Sequence, residues 1–208
     1  PLSLFDGLRT DFSLARLKHY TGTPADHFQR YILFTNYHRY VDEFVRWGAS
    51  QIGKGEYTAL SGAGGLYIDE PGVDASALVA DSTWRRHQMP AYHLIAPNGS
   101  GITLVNIGVG PSNAKTITDH LAVLRPEVWL MIGHCGGLRA TQKIGDYVLA
   151  HAYLRDDHIM DAVLPPAEAQ GAGEVDTAAT EREAWSVGQN ARVFLQSGAN
   201  LDYCALPV

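Results

Sequence analysis

Two glycine-rich stretches carry the residue types from which a ligand site could be built. Gly108-Val109-Gly110-Pro111-Ser112-Asn113 follows an apolar run and precedes a helical pattern. Glycines let a backbone come close to a ligand, and a helix start offers unpaired N–H groups to an anion. A tight strand-to-helix turn uses the same residues, so both readings stand. A dinucleotide site would want a carboxylate about 20 positions on, at the end of the next strand. That strand ends Leu130-Met131-Ile132-Gly133 with no carboxylate, which argues against a nicotinamide dinucleotide.

The second stretch, Gly133-His134-Cys135-Gly136-Gly137, has the G-x-C-x-G form in which a strained turn exposes a cysteine nucleophile. Its base would be His151 or His158, oriented by Asp161. Such a turn normally leads straight into a helix. Here Leu138–Lys143 is short, and Gly145-Asp146 already opens a strand pattern. A small buried cysteine at a tight turn is therefore the favoured reading. Asp156-Asp157-His158 with Asp161 could hold a metal, yet the spacing fits no zinc pattern, and a solvated loop is favoured. His87 and His93 flank a strand and read as structural histidines. In Thr35-Asn36-Tyr37-His38-Arg39, Asn36 is suited to cap a helix. Arg39 offers a forked donor set to an anion at the same edge, or serves the surface.

The elements that position these residues follow from periodicity. Pro1–Phe28 is a polar, mixed lead-in. Tyr31–Thr35 is a short apolar run and reads as a buried strand. Asn36 opens a helix whose Tyr37, Tyr40, Val41, Phe44, Val45 and Ile52 share a face, ended by Gly53 and Gly55. Tyr57–Leu60 reads as a strand stopped by Gly62, Gly64 and Gly65, and 69–81 as an excursion or weak helix. Met89–Ala96 and Ile102–Ile107 read as strands joined at Pro97-Asn98-Gly99. A helix starting at Pro111 buries Ala114, Ile117, Leu121 and Leu124 and stops at Pro126. Val128–Ile132 reads as a strand covered on both faces, and Asp146–Leu154 as another. Strand, helix, strand in this order predicts a mostly parallel, layered α/β sheet.

Composition narrows the class. The 208 residues suit one domain with an appendage. A hydrophobic fraction of 46% supports a sizeable core, and 18% charged residues argues against a disordered chain. A net charge of −6 argues against general nucleic-acid binding, though not against a small phosphorylated ligand. Two cysteines make no disulfide framework and point to a reducing cytosol. No apolar run approaches the roughly 20 residues of a membrane span, and no signal-peptide pattern is present. The start at Pro1 rather than Met reads as a processed or partial chain.

Longer stretches carry a resemblance. Asp11–Leu17, Tyr20–Pro24, Leu33–Tyr37, Asn106–Lys115, Trp129–Leu138 and Gly145–Asp157 resemble the AMP nucleosidases, a branch of the nucleoside phosphorylase superfamily. The likeness covers Pro1 to about Pro166. It implies an α/β three-layer fold with a mixed central sheet, left incomplete at the C-terminal side. It divides the chain into a lead-in (1–28), the first half of a catalytic domain (29–166) and a non-matching tail (167–208). The implied enzyme is a hydrolase, a glycosidase of purine salvage, that splits AMP into adenine and ribose 5-phosphate. It is cytoplasmic, hexameric in the intact family, free of metal or organic cofactor, and responsive to ATP and phosphate. No nucleic acid or membrane partner is implied.

The resemblance also implies site residues. Asn36, Arg39, Gly108, Gly110, Asn113, Gly133, His134, Gly136 and Arg139 would surround phosphate and ribose. His27 would match a histidine that relatives lend to a neighbouring subunit. Phosphorylases place an Arg and a Ser where this chain has Met131 and His134, which favours water over phosphate as nucleophile. The family's Met-Glu pair and its Ser-Asp acid occur nowhere in the chain. A frameshift or truncation near Pro166 is the expected cause, and the chain alone is expected to be inactive. The alternatives are a non-catalytic nucleotide-binding remnant and, below it, a cysteine hydrolase using Cys135.

Overall fold

The computed structural model describes residues 7–75, 86–135 and 140–147. The tail and the candidates Gly136, Arg139, His151, His158 and Asp161 lie outside the described residues. The chain divides into two compact units, residues 1–109 with 116–132 and residues 110–115 with 133–208.

The first unit is built on a six-stranded sheet. Its strands are β1 (Tyr31–Thr35), β2 (Ala59–Gly62), β3 (Leu66–Ile68), β4 (Ala91–Ile95), β5 (Ile102–Asn106) and β6 (Val128–Met131), in the order β3-β2-β4-β5-β1-β6. β1 pairs in parallel with β5 and with β6, whereas β2 with β3, β2 with β4, and β4 with β5 are antiparallel. Patterning alone predicted a mostly parallel sheet; the sheet is mixed. Two short reversals are the reason. At Pro97–Gly99 the chain turns back from β4 into β5 with Asn98 and Gly99 at φ 58° and 70°, the left-handed region that Asn and Gly tolerate best. At Ala63–Gly65 it turns from β2 into β3. β2 does not stop at Gly62 but includes it, paired with Tyr92 of β4, whose ring would lie 2.5 Å from a Cβ at that position.

One face of the sheet is apolar. Helix α2 (His38–Gln51) lays Val41, Phe44, Val45 and Ala49 against Leu60, Ile68, Leu94 and Leu104. The helix starts two residues later than predicted: Tyr37, not Asn36, is its N-cap, with no side-chain capping bond.

The opposite face carries a polar row. Tyr67, Ser61, His93 and Thr103 stand opposite one another on β3, β2, β4 and β5. Residues 23–29 cover this row by hydrogen bonding. Gln29 N–H donates to Thr103 Oγ1 (2.9 Å), and Ala96 N–H and Gly101 N–H both donate to Gln29 Oε1 (3.2 Å each). His93 is fully buried, with Nδ1 2.9 Å from Thr103 Oγ1 and Nε2 2.9 Å from Thr23 Oγ1.

Donor accounting fixes the direction of that chain. Thr21 Oγ1 gives its hydrogen to Leu17 O (2.7 Å), so toward Thr23 Oγ1 (3.0 Å) it can only accept. Thr23 therefore donates to Thr21 and accepts from His93 Nε2–H. Nδ1 is left to accept from Thr103, a neutral ring with both nitrogens satisfied. Burial, and then the neighbouring His27, hold His93 down at about 3.

The expected lead-in is structured. Residues Gly7–Thr21 form helix α1. Its buried stripe is Ser13, Leu17 and Thr21, four residues apart. Helix α3 (Pro111–Leu121) opens on Pro111 as predicted and buries Ala114, Ile117 and Leu121. Leu124, expected in the same stripe, falls in a 3-10 turn and is only partly buried. Arg125 then takes the left-handed region at φ 51° before Pro126. Ser13 Oγ of α1 meets His120 Nδ1 of α3 at 3.4 Å, with Tyr20 stacked on the His120 ring. β6 departs from expectation too. Cover on both faces is not found: Val128 and Leu130, which share one face, are 45% and 41% exposed.

Candidate functional site

β1 and β5 run in parallel and end together, with Thr35 opposite Asn106. Parallel neighbours send their following loops to the same edge, which is where open α/β sheets place ligand sites. Ile107 N–H donates to Thr35 O and Ile132 N–H to Phe34 O, both at 2.8 Å, so β6 ends at this edge as well. Thr35 Oγ1 accepts from Tyr37 N–H at 3.2 Å and turns the chain into α2.

Three of the predicted residues stand here within the first unit. Asn36 follows β1 directly, and its Oδ1 is buried with no hydrogen-bond partner among the described residues. A buried acceptor left unpaired costs about 1–3 kcal/mol, so this oxygen is suited to receive a ligand hydroxyl. Gly108 follows β5 at φ 63°, a conformation that favours glycine. Arg39 lies in the first turn of α2, exposed, with its guanidinium 5.5 Å from the Tyr40 ring centre.

Two further residues at this edge were not singled out from the sequence. Asn106 is buried at 2% exposure; its Oδ1 accepts from Gly108 N–H (3.0 Å) and its Nδ2 lies 3.1 Å from His38 Nδ1. The signal for Asn106 was available, namely an asparagine ending an apolar strand two residues before a glycine turn. Nothing in the spacing links position 38 to position 106.

The second unit holds Gly110, Asn113, Gly133 and His134. Gly110 has φ 105° with open space where a Cβ would stand, and its carbonyl accepts from Ala114 N–H at 3.5 Å in the start of α3. Gly133–Cys135 is neither helix nor strand. Cys135 is exposed, which corrects its reading as a small buried cysteine: no side chain packs over it among the described residues. The strand predicted from Asp146 does not begin there. Lys143 N–H donates to Asp146 Oδ2 (2.8 Å) and Asp146 N–H to Lys143 O (3.1 Å), a tight turn with Gly145 at φ 100°.

His27 sits away from the strand-end edge. It lies in a 3-10 turn before β1, its Nδ1 2.9 Å from Ser61 Oγ of the same chain. His93 is the structural histidine that was expected, with both ring nitrogens bonded.

Comparison with known proteins bears on this arrangement. The AMP nucleosidase of Escherichia coli (strain K12) is 70% identical over 168 residues, which is 80% of this chain and 35% of that protein. The AMP nucleosidase of Escherichia coli O157:H7 gives the same figures. The chain thus spans about a third of the length of the curated relatives it matches. The crystal structure of AMP nucleosidase from Bacteroides thetaiotaomicron VPI-5482 is 26% identical, covers 69% of this chain and 48% of that one, and superposes with a TM-score of 0.47. A family model described as Phosphorylase superfamily matches residues 69–191, taking in β4, β5, the glycine turn, α3 and β6 and running past Pro166. With more than half of its length inside that match, the chain belongs to the phosphorylase superfamily.

Proposed function

We propose that the chain is part of an enzyme that hydrolyses the N-glycosidic bond of AMP to give adenine and ribose 5-phosphate. The observation that carries this reading is the 70% identity over 168 residues to AMP nucleosidases. Cleavage of this bond passes through an oxocarbenium-like sugar. The enzyme must hold ribose and phosphate, stabilise positive charge and protonate the departing purine. The first unit offers Asn36 Oδ1 as an acceptor for a ribose hydroxyl, the Gly108 turn for close backbone approach, and Arg39 as a phosphate donor. In the second unit, Gly110, Asn113, Gly133, His134, Gly136 and Arg139 carry the phosphate and ribose roles that the resemblance implies. Met131 and His134 stand where phosphorylases keep an Arg and a Ser, which leaves water as the nucleophile. The same reading carries a cytoplasmic homo-oligomer of purine salvage with ATP and phosphate as effectors.

The purine acid is the missing part. No Met-Glu or Ser-Asp pair occurs in the 208 residues. That absence favours a second reading, a nucleotide-binding chain without turnover. Titration calorimetry with AMP and adenine release by chromatography on the purified chain separate the two. AMP binding without adenine is expected. Adenine release would overturn the claim that the acid is missing, and absence of both would remove the nucleotide reading.

Arg139 gives a further prediction. In an enzyme with its acid restored, Arg139→Ala raises KM for AMP about tenfold or more and leaves adenosine nearly unchanged, as loss of a charged phosphate contact requires. Equal effects on both substrates would remove Arg139 from the phosphate.

A further inference from the structure

We propose that Asn106 is a positioning residue of the candidate site: its one buried amide sets both the glycine turn after β5 and the imidazole of His38 at the start of α2, so that neutral His38 carries its proton on Nε2. The two ends of the amide cannot exchange roles. Gly108 N–H only donates, so the group 3.0 Å from it is the Asn106 oxygen. The amino end therefore faces His38 Nδ1 at 3.1 Å. An amino group only donates, so Nδ1 accepts with its lone pair, and the ring proton of the neutral form lies on Nε2.

The consequence is a clamp across two loops. Thr35 and Asn106 are already register partners at the ends of β1 and β5. The Asn106 amide adds a side-chain tie from β5 to the first residue of α2 and another to the turn that follows β5. Burial to 2% exposure leaves the amide one orientation. A ring whose Nδ1 is engaged in this way can offer a ligand only an N–H. That suits an oxygen of phosphate or of a ribose hydroxyl, and this step alone rests on the nucleotide reading.

Nitrogen NMR of the chain labelled with ¹⁵N-histidine tests the clamp, because protonated and bare ring nitrogens resonate far apart. Spectra are recorded at about pH 8, where free histidine is neutral. His38 is exposed, so His38→Gln folds and identifies its signals by their loss. The expected wild-type result is a bare Nδ1 and a protonated Nε2 on His38. Asn106→Asp keeps an acceptor for Gly108 N–H but turns an oxygen toward His38, which puts a proton on Nδ1. A wild-type His38 protonated on Nδ1 overturns the proposal, as does an unchanged Nδ1 in folded Asn106→Asp. Should that variant not fold, a wild-type His38 protonated on Nδ1 still overturns the proposal. Ribose 5-phosphate titration is the separate arm. A tenfold or greater loss of its binding in His38→Gln supports the ligand-facing N–H. A bare Nδ1 with no ribose 5-phosphate binding by wild type supports the clamp while overturning the nucleotide reading.

Discussion

Gly101→Ala unfolds at a urea concentration lower than wild type by roughly 1–2 M. A Cβ at this position would stand 2.0 Å from Leu94 O, 2.8 Å from Gln29 Oε1 and 2.9 Å from Ala96 N. Two of these atoms are backbone of β4 and its end, so no rotamer change relieves them. The third is the oxygen that already accepts from Gly101 N–H and Ala96 N–H. The methyl must therefore open the β4–β5 hairpin and break the contact that holds residues 23–29 on the sheet. Strain of this kind costs about 2–4 kcal/mol, and a urea slope of about 2 kcal/mol/M converts that to the stated shift. Gly72→Ala is the control. Its φ of 82° is unfavourable for alanine, yet nothing lies within 4 Å of the added methyl. It costs only about 1 kcal/mol. Equal midpoints for the two variants would show that the hairpin yields freely.

The second large effect is a dependence of stability on acid. His93 titrates at about 3 in the folded chain, held down first by burial and then by His27. The unfolded value is about 6.5, so below it the unfolded chain binds the extra proton. The contribution is fully present above pH 6.5 and is lost as pH falls toward 3, at up to about 1.4 kcal/mol per unit. Protonation puts a hydrogen on Nδ1, where Thr103 now donates, so the Thr103 hydroxyl must turn away, while the run from Nε2–H through Thr23 and Thr21 to Leu17 O keeps its direction. Carboxylates also titrate in this range, so the informative quantity is the stability difference between wild type and His93→Gln. That difference shrinks steadily from pH 6.5 to pH 4. Parallel curves for the two proteins would remove His93 as the cause.

What could be read from the sequence depended on whether burial was apolar. β1, β4 and β5 are runs such as Tyr31–Thr35 and Ala91–Ile95, and they were located to within two residues at each end. The apolar stripe of α2 was legible for the same reason. Helix α1 was not, because two of its three buried stripe residues are Ser13 and Thr21, which are satisfied by hydrogen bonds. A pattern search for apolar period sees only Leu17. β3 has just three residues and follows three glycine-turn positions, too short to show a period. The strand-end edge was anticipated through Asn36 and Gly108, since both adjoin strands that were read correctly. His38 was missed because its partner is 68 positions away. The cap on α2 was misplaced because Thr35, still within β1, turns the chain and leaves Tyr37 at the boundary.

The position of β1 in the sheet has a consequence for synthesis on the ribosome. Tyr31 pairs with Ile102 on one side and Val128 on the other, so β1 gains its first neighbour only once β5 is made and its second only after β6. At roughly 5–20 residues per second, the wait for β5 is on the order of 4–14 s, and β6 comes later still. During that interval the apolar run Tyr31–Thr35 stands without either of its strand neighbours. The nascent chain is thus a natural client for a ribosome-associated holdase, and codon choices that slow translation between positions 36 and 102 would lower its soluble yield without altering any residue.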